Sequence, residues 1–249
     1  MRKLFFAPIL LMAAINPSVC LSTSVVPVQD YSGVAAGLFG NMRTPAALIA
    51  GAIVPVGLLS APQLIKGEPR KEELMKKANC LLAVASLLSE ILAITYSTVA
   101  INKLAEIQFA PTASVSEFIS KNFEFAWLGT NVHFLLGLFG FGILVGTKAY
   151  FLYGGRVAKI AGCWSLATFL TCTSYVNYGI SIGESMHQEG FRFAKNLFGL
   201  TLKYMKLAIC KARGRPLSLT AMAITLYSIY LTMKQLIEFI SLGLNKTTE

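Results

Sequence analysis

The stretch Asn79–Ile101, NCLLAVASLLSEILAITYSTVAI, decides the fold. It is an apolar run of 23 residues, and a helix needs about 20 to cross the hydrocarbon of a bilayer. One carboxylate, Glu90, sits near its middle. Ala83, Ser86, Glu90, Ala93 and Ser97 recur at spacings of three and four, so they share one helix face. Leu, Ile and Val fill the opposite face. A small, polar stripe carrying an acid predicts a surface turned toward protein or a polar cavity rather than lipid. Glu90, with Ser86 and Ser97, is therefore the candidate intramembrane polar site. It reads either as an ion or proton site or as a residue that ties helices together by hydrogen bonds.

Composition agrees with a membrane chain. Of the 249 residues 55% are hydrophobic and 14% charged, with mean hydropathy +0.61, whereas soluble domains carry roughly 25% charged residues. The formal net charge of +10 is expected to fix orientation and to meet anionic headgroups. Nucleic acid is not an expected partner, because no binding motif appears and the basic residues adjoin apolar runs. The five cysteines, Cys20, Cys80, Cys163, Cys172 and Cys210, show no CxxC or metal spacing, so no metal site is expected.

Further spans are predicted near 46–65, 126–147, 160–182 and 217–240. The first contains Pro55 and Pro62 and is expected to kink or to be partly re-entrant. The segment 66–78 reads as a charged loop whose Pro69 opens the helix running into the second span. Ser114 and Glu117 have the spacing of a capping box. The third span is rich in glycine. Gly137, Gly142 and Gly146 are its candidate packing residues, the last two forming a GxxxG. His133 is a possible ligand for haem iron or chlorophyll magnesium. His187, the other histidine, lies in a loop, which disfavours a bis-histidine haem. The fourth span is hydroxyl-rich, and lipid cannot satisfy such groups, so it is the expected partner of the Glu90 face.

Residues 190–212 read as a basic amphipathic helix on the membrane surface. Phe191, Phe198, Leu202, Met205 and Ile209 approximate one face, and Lys195, Lys203, Lys206 and Lys211 lie elsewhere. Strict alternation of five spans puts 183–215, with seven basic residues, opposite the basic segments 66–78 and 148–159. The positive-inside rule then conflicts with itself.

At the N-terminus, residues 1–20 have a basic start, an apolar core and small residues before Cys20, as signal peptides do. Residues 21–43 are hydroxyl-bearing and nearly free of acids, and are expected to be flexible or transit-like. Together they resemble the two-part leaders of algae with complex plastids. That resemblance implies a plastid membrane; an ordinary secretory leader implies the secretory pathway or plasma membrane.

The expected fold is an all-α integral membrane protein, a bundle of four to five transmembrane helices plus the surface helix, forming a single domain over 44–249. No P-loop, HExxH, GxSxG or dinucleotide fingerprint occurs, so no enzyme is expected. A structural or assembly role beside other membrane subunits is the leading expectation. A small-solute or ion transporter using Glu90 and a pigment- or haem-binding protein using His133 are the alternatives. No cofactor is required by the sequence.

Overall fold

The computed structural model describes residues 29–60, 62–180, 192–212 and 215–244. Residues 1–28, His187 and Asn245-Lys246-Thr247, a glycosylation sequon in form, lie outside the described residues. The structure is all-α: α1 (Ser32–Ile53), α2 (Arg70–Glu106), α3 (Val115–Asn122), α4 (Glu124–Tyr153), α5 (Gly155–Ile180), α6 (Arg192–Ala212) and α7 (Pro216–Leu244). Among the described residues, four helical segments are long and apolar enough to cross a membrane: Ser32–Leu59, Arg70–Glu106, Glu124–Tyr153 and Pro216–Lys234. This is the architecture of a membrane helix bundle. The helix α5 is not among the four; Arg156, Lys159 and its many hydroxyls dilute its apolar character.

Of the four spanning segments α4 is the most buried, and the long α2 packs against both it and α1. The helix α2 runs antiparallel to α4, since Asn79 meets Thr147, Ser86 meets Gly140, Glu90 meets Gly137 and Ser97 meets Thr130. It also runs antiparallel to α1: Gly57 lies against Ala83, whereas Ala35 and Phe39 cluster with Ala100 and Leu104. The last spanning segment, α7, touches α2 and α6.

Local chemistry accounts for the helix ends. Pro69 precedes α2 and Pro216 opens α7, where a missing N–H costs nothing. Ser114 caps α3 by accepting from Glu117 N–H at 3.1 Å, and the Glu117 carboxylate accepts from Ala113 N–H at 3.1 Å. Between α4 and α5 the chain turns at Gly154, whose φ of +81° favours glycine.

The first span differs from expectation. Its helix begins at Ser32, not near residue 46, so most of the segment expected to be flexible is helical, and Ala35 and Phe39 within it are fully buried. Packing orders this stretch: Phe39 makes edge contacts with Phe123 and Trp127, at 6.1 and 5.4 Å between centroids. At the other end the helix widens into a π-helical segment, Val54–Leu59, and stops before Pro62. Pro55 supplies the cause, as it cannot donate to the preceding turn and its ring crowds the carbonyl there. The third span is also longer than expected. It carries Lys148 within α4, where its ammonium bonds the Ser60 carbonyl instead of lying in a loop.

Candidate functional site

Every member of the predicted stripe on α2 is buried. Ala83, Glu90, Ala93 and Ser97 are at 0% exposure and Ser86 is at 3%. The large residues between them, including Leu81, Val84, Leu88, Ile91 and Val99, are exposed on the outside of the bundle. Its polar members face α4, while Ala83 and Ala93 also pack against the first span at Gly57 and Ala46. The hydroxyl-rich α5 packs on a different side of α4 and does not reach the Glu90 face. That corrects the expected pairing. The physical reason is that α5 hydroxyls need no neighbour: Thr171 donates to the Ala167 carbonyl at 2.9 Å and Thr173 to the Phe169 carbonyl at 2.7 Å.

Two glycines of α4 make room for the polar side chains. A Cβ at Gly137 would fall 2.6 Å from Glu90 Cγ and Cδ, and one at Gly140 would fall 2.9 Å from Ser86 Cβ. Glu90 and Ser86 thus occupy notches where α4 lacks side chains. Gly142 and Gly146 turn elsewhere, toward Ser165 and Gly162 of α5. Ser86 donates to the Leu82 carbonyl at 2.7 Å. Ser97 donates to the Ala93 carbonyl at 2.8 Å and lies 3.3 Å from the Thr130 hydroxyl. Both carboxyl oxygens of Glu90 are buried and have no hydrogen-bond partner. Its surroundings are apolar: Ala46, Ala93, Phe134 and Leu135 are buried nearby, with Ile49 and Leu138 packed against them. The polar stripe is therefore a column of separate pairs rather than one network. Ser86, Glu90 and Ser97 each meet α4 at a different level.

His133 belongs to a second cluster. Its Nε2 lies 2.9 Å from the Tyr204 hydroxyl, which in turn lies 3.0 Å from the Tyr96 hydroxyl. The Tyr96 and His133 rings stack at 5.9 Å. Tyr204 enters from α6 and stacks on Phe125 at 5.5 Å. Gly129 admits both tyrosines: a Cβ there would fall 2.9 Å from the Tyr96 ring and 3.2 Å from the Tyr204 ring. With Nε2 committed to Tyr204, a pigment magnesium or haem iron would have to displace that hydroxyl to use it. His133 Nδ1 is buried without a partner. Sequence reasoning missed Tyr96, Tyr204 and Thr130. Tyr204 carries the one available signal, a phenol on an otherwise Lys- and Leu-rich helix, since a buried tyrosine hydroxyl usually finds a partner.

Of the basic surface residues, Lys203 pairs with Glu124 at 2.5 Å, and the Lys211 ammonium lies 4.8 Å from the Phe125 ring centroid. Lys206 is exposed, and the Lys195 side chain lies outside the described residues. These contacts place α6 at the bundle end that carries α3. The charged segment around Lys76, which bonds Glu68 and the Gln63 carbonyl, is at the opposite end. Both ends are basic, and this geometry is the source of the conflict in the charge rule. Among the described residues, no group of three His, Cys, Asp or Glu side chains could hold a metal ion.

The chain matches no protein-family model, and neither the curated proteins nor the solved structures contain a match.

Proposed function

We propose that the chain is a non-enzymatic membrane subunit with a structural or assembly role in a larger membrane complex. The observation that carries this reading is α7. None of its apolar window is buried within the chain, and Leu217, Ile224, Tyr227, Tyr230 and Met233 are all exposed. Four of its hydroxyls make no demand on neighbours, because Thr220, Thr225, Ser228 and Thr232 each donate to a carbonyl four residues back at 2.9 Å. Such a helix presents a self-satisfied apolar surface, suited to another transmembrane helix as well as to lipid. The test is native electrophoresis of membranes solubilised in mild detergent. Co-migration with a larger complex, lost when Tyr227 and Tyr230 are changed to Ala, supports the reading. Migration as a free monomer in both cases rejects it.

A second reading rests on Glu90. An ionisable side chain at the centre of a spanning helix costs about 3 kcal/mol on insertion scales, and here it has no partner. A carboxyl kept at that cost suits an ion or proton site in a small-solute or ion transporter. Uptake into vesicles carrying the purified protein tests it. Ion-dependent uptake lost in Glu90→Gln favours transport, and its absence in the wild-type protein removes this reading.

A further inference from the structure

The helix α6 has a stripe that the bundle does not cover. Tyr204 and Ala212 turn inward, whereas Leu202, Met205 and Ile209 are 50%, 46% and 44% exposed. These three recur at spacings of three and four, so they form one continuous apolar strip. Lys206 flanks the strip, and it is exposed with no ion-pair partner among the described residues. Arg215, just past the helix, is exposed too. Residues 192–212 contain no acidic side chain, and four of them are basic from Arg192 to Lys206, with Lys211 a fifth.

The orientation of α6 follows from its contacts. Tyr204 stacks on Phe125, and Lys211, two turns later, reaches the same ring. A helix running along α4 would carry those two residues about 10 Å apart along it. The Lys203–Glu124 pair and the Lys211–Phe125 contact, made by residues eight apart on α6, both fall in the first turn of α4, which fits a helix lying across that end. The crossing lies beside Glu124, at the terminus of a spanning helix, where headgroups begin. The hydroxyl chain from Tyr204 to His133 and Tyr96 holds the helix in that position.

We propose that α6 is a lipid-binding element that lies in the headgroup layer and recognises anionic phospholipid. Leu202, Met205 and Ile209 enter the acyl boundary, and Lys206 and Arg215 bind the phosphate and carboxylate groups above it. Charge complementarity selects this occupant: the strip is apolar, its free flanking groups are cationic, and the opposing acid, Glu124, is already paired with Lys203. The proposal goes beyond the assembly role and requires only that the chain reside in a bilayer.

Cys210 is exposed on α6 and serves as the reporter. The full chain, with its other cysteines changed to Ser and an environment-sensitive dye on Cys210, is reconstituted into vesicles of phosphatidylcholine alone or mixed with phosphatidylglycerol. Flotation with both kinds of vesicle reports bilayer residence by itself. The dye is expected to shift to the blue as the anionic fraction rises and to return toward the red at high salt. Each of Lys206→Gln and Arg215→Gln should weaken that partition about fivefold, from the usual contribution of one basic residue at an anionic surface. Both side chains are exposed, so these variants should keep the fold, which the Tyr204-dependent protection of α6 amides checks. Emission that is the same in neutral and anionic vesicles, or a shift insensitive to both substitutions, overturns the proposal.

Discussion

The seam between α2 and α4 and the flank of α7 are both apolar enough to lie in a bilayer, yet they are opposites in use. In α4, 56% of the apolar window is buried within the chain; in α7 none is. Hydropathy separates them only weakly, with window means of 1.7 in α4 and 1.3 in α7. Size and polarity do so clearly. The buried face of α2 reads Asn79, Ala83, Ser86, Glu90, Ala93, Ser97 and Ala100, and its outer face reads Leu81, Val84, Leu88, Ile91 and Val99. Large apolar residues face outward because lipid tails are as apolar as leucine, so nothing is gained by hiding them. Small and polar residues face inward because they allow close approach and form hydrogen bonds between helices. α7 has no comparable stripe packed inside the chain, and Thr220, Thr225, Ser228 and Thr232 are closed onto their own backbone.

This contrast can be broken by substitution. The largest effect is expected at Gly137→Leu, which drives a side chain into Glu90. It should destabilise the purified protein by about 3 kcal/mol in detergent unfolding, as overpacking does. Adding Glu90→Ala should recover part of the loss, with a coupling of at least about 0.5 kcal/mol; strict additivity would mean that the two residues do not meet. Tyr204→Phe should cost about 1–2 kcal/mol, since it leaves His133 Nε2 and the Tyr96 hydroxyl without their shared partner. Hydrogen exchange should show that cost as faster exchange in α6 with α2 and α4 unchanged. Asn79→Ala removes the 2.6 Å bond to Thr147 and should cost about 0.6 kcal/mol, the average for such bonds between membrane helices. At the small end, Tyr230→Ala on α7 should change the stability of the isolated protein by no more than about 0.5 kcal/mol. A cost as large as that at Gly137 would mean that α7 is part of the core.

The sequence made some of this visible and concealed the rest for identifiable reasons. The α2 stripe was legible because its periodicity and its composition change together over several turns. The starts of α2 and α7 were legible from Pro69 and Pro216. The beginning of α1 was not, because Ser32–Gly40 is short of large apolar residues and is ordered through Ala35 and Phe39 by contacts distant in sequence. The partner of Glu90 was misplaced because hydroxyl content on α5 was read as a need for neighbours, whereas Thr171 and Thr173 bond their own helix. The absence of side chains at Gly137 and Gly140 was the better signal. Tyr204 could not be joined to His133, 71 residues away, by any local pattern.

The central claim is that the polar side chains of the α2 face, Ser86, Glu90 and Ser97, are sealed by α4. Cysteine cross-linking in native membranes tests it most directly, in a chain whose own cysteines have been replaced. Ser97→Cys with Thr130→Cys places two thiols where hydroxyls stand 3.3 Å apart, and the pair should form a disulfide nearly completely under mild oxidation. Ser86→Cys with Thr168→Cys on α5 should not cross-link. The reverse pattern, with α5 capturing the stripe and Thr130 failing to, would contradict the account.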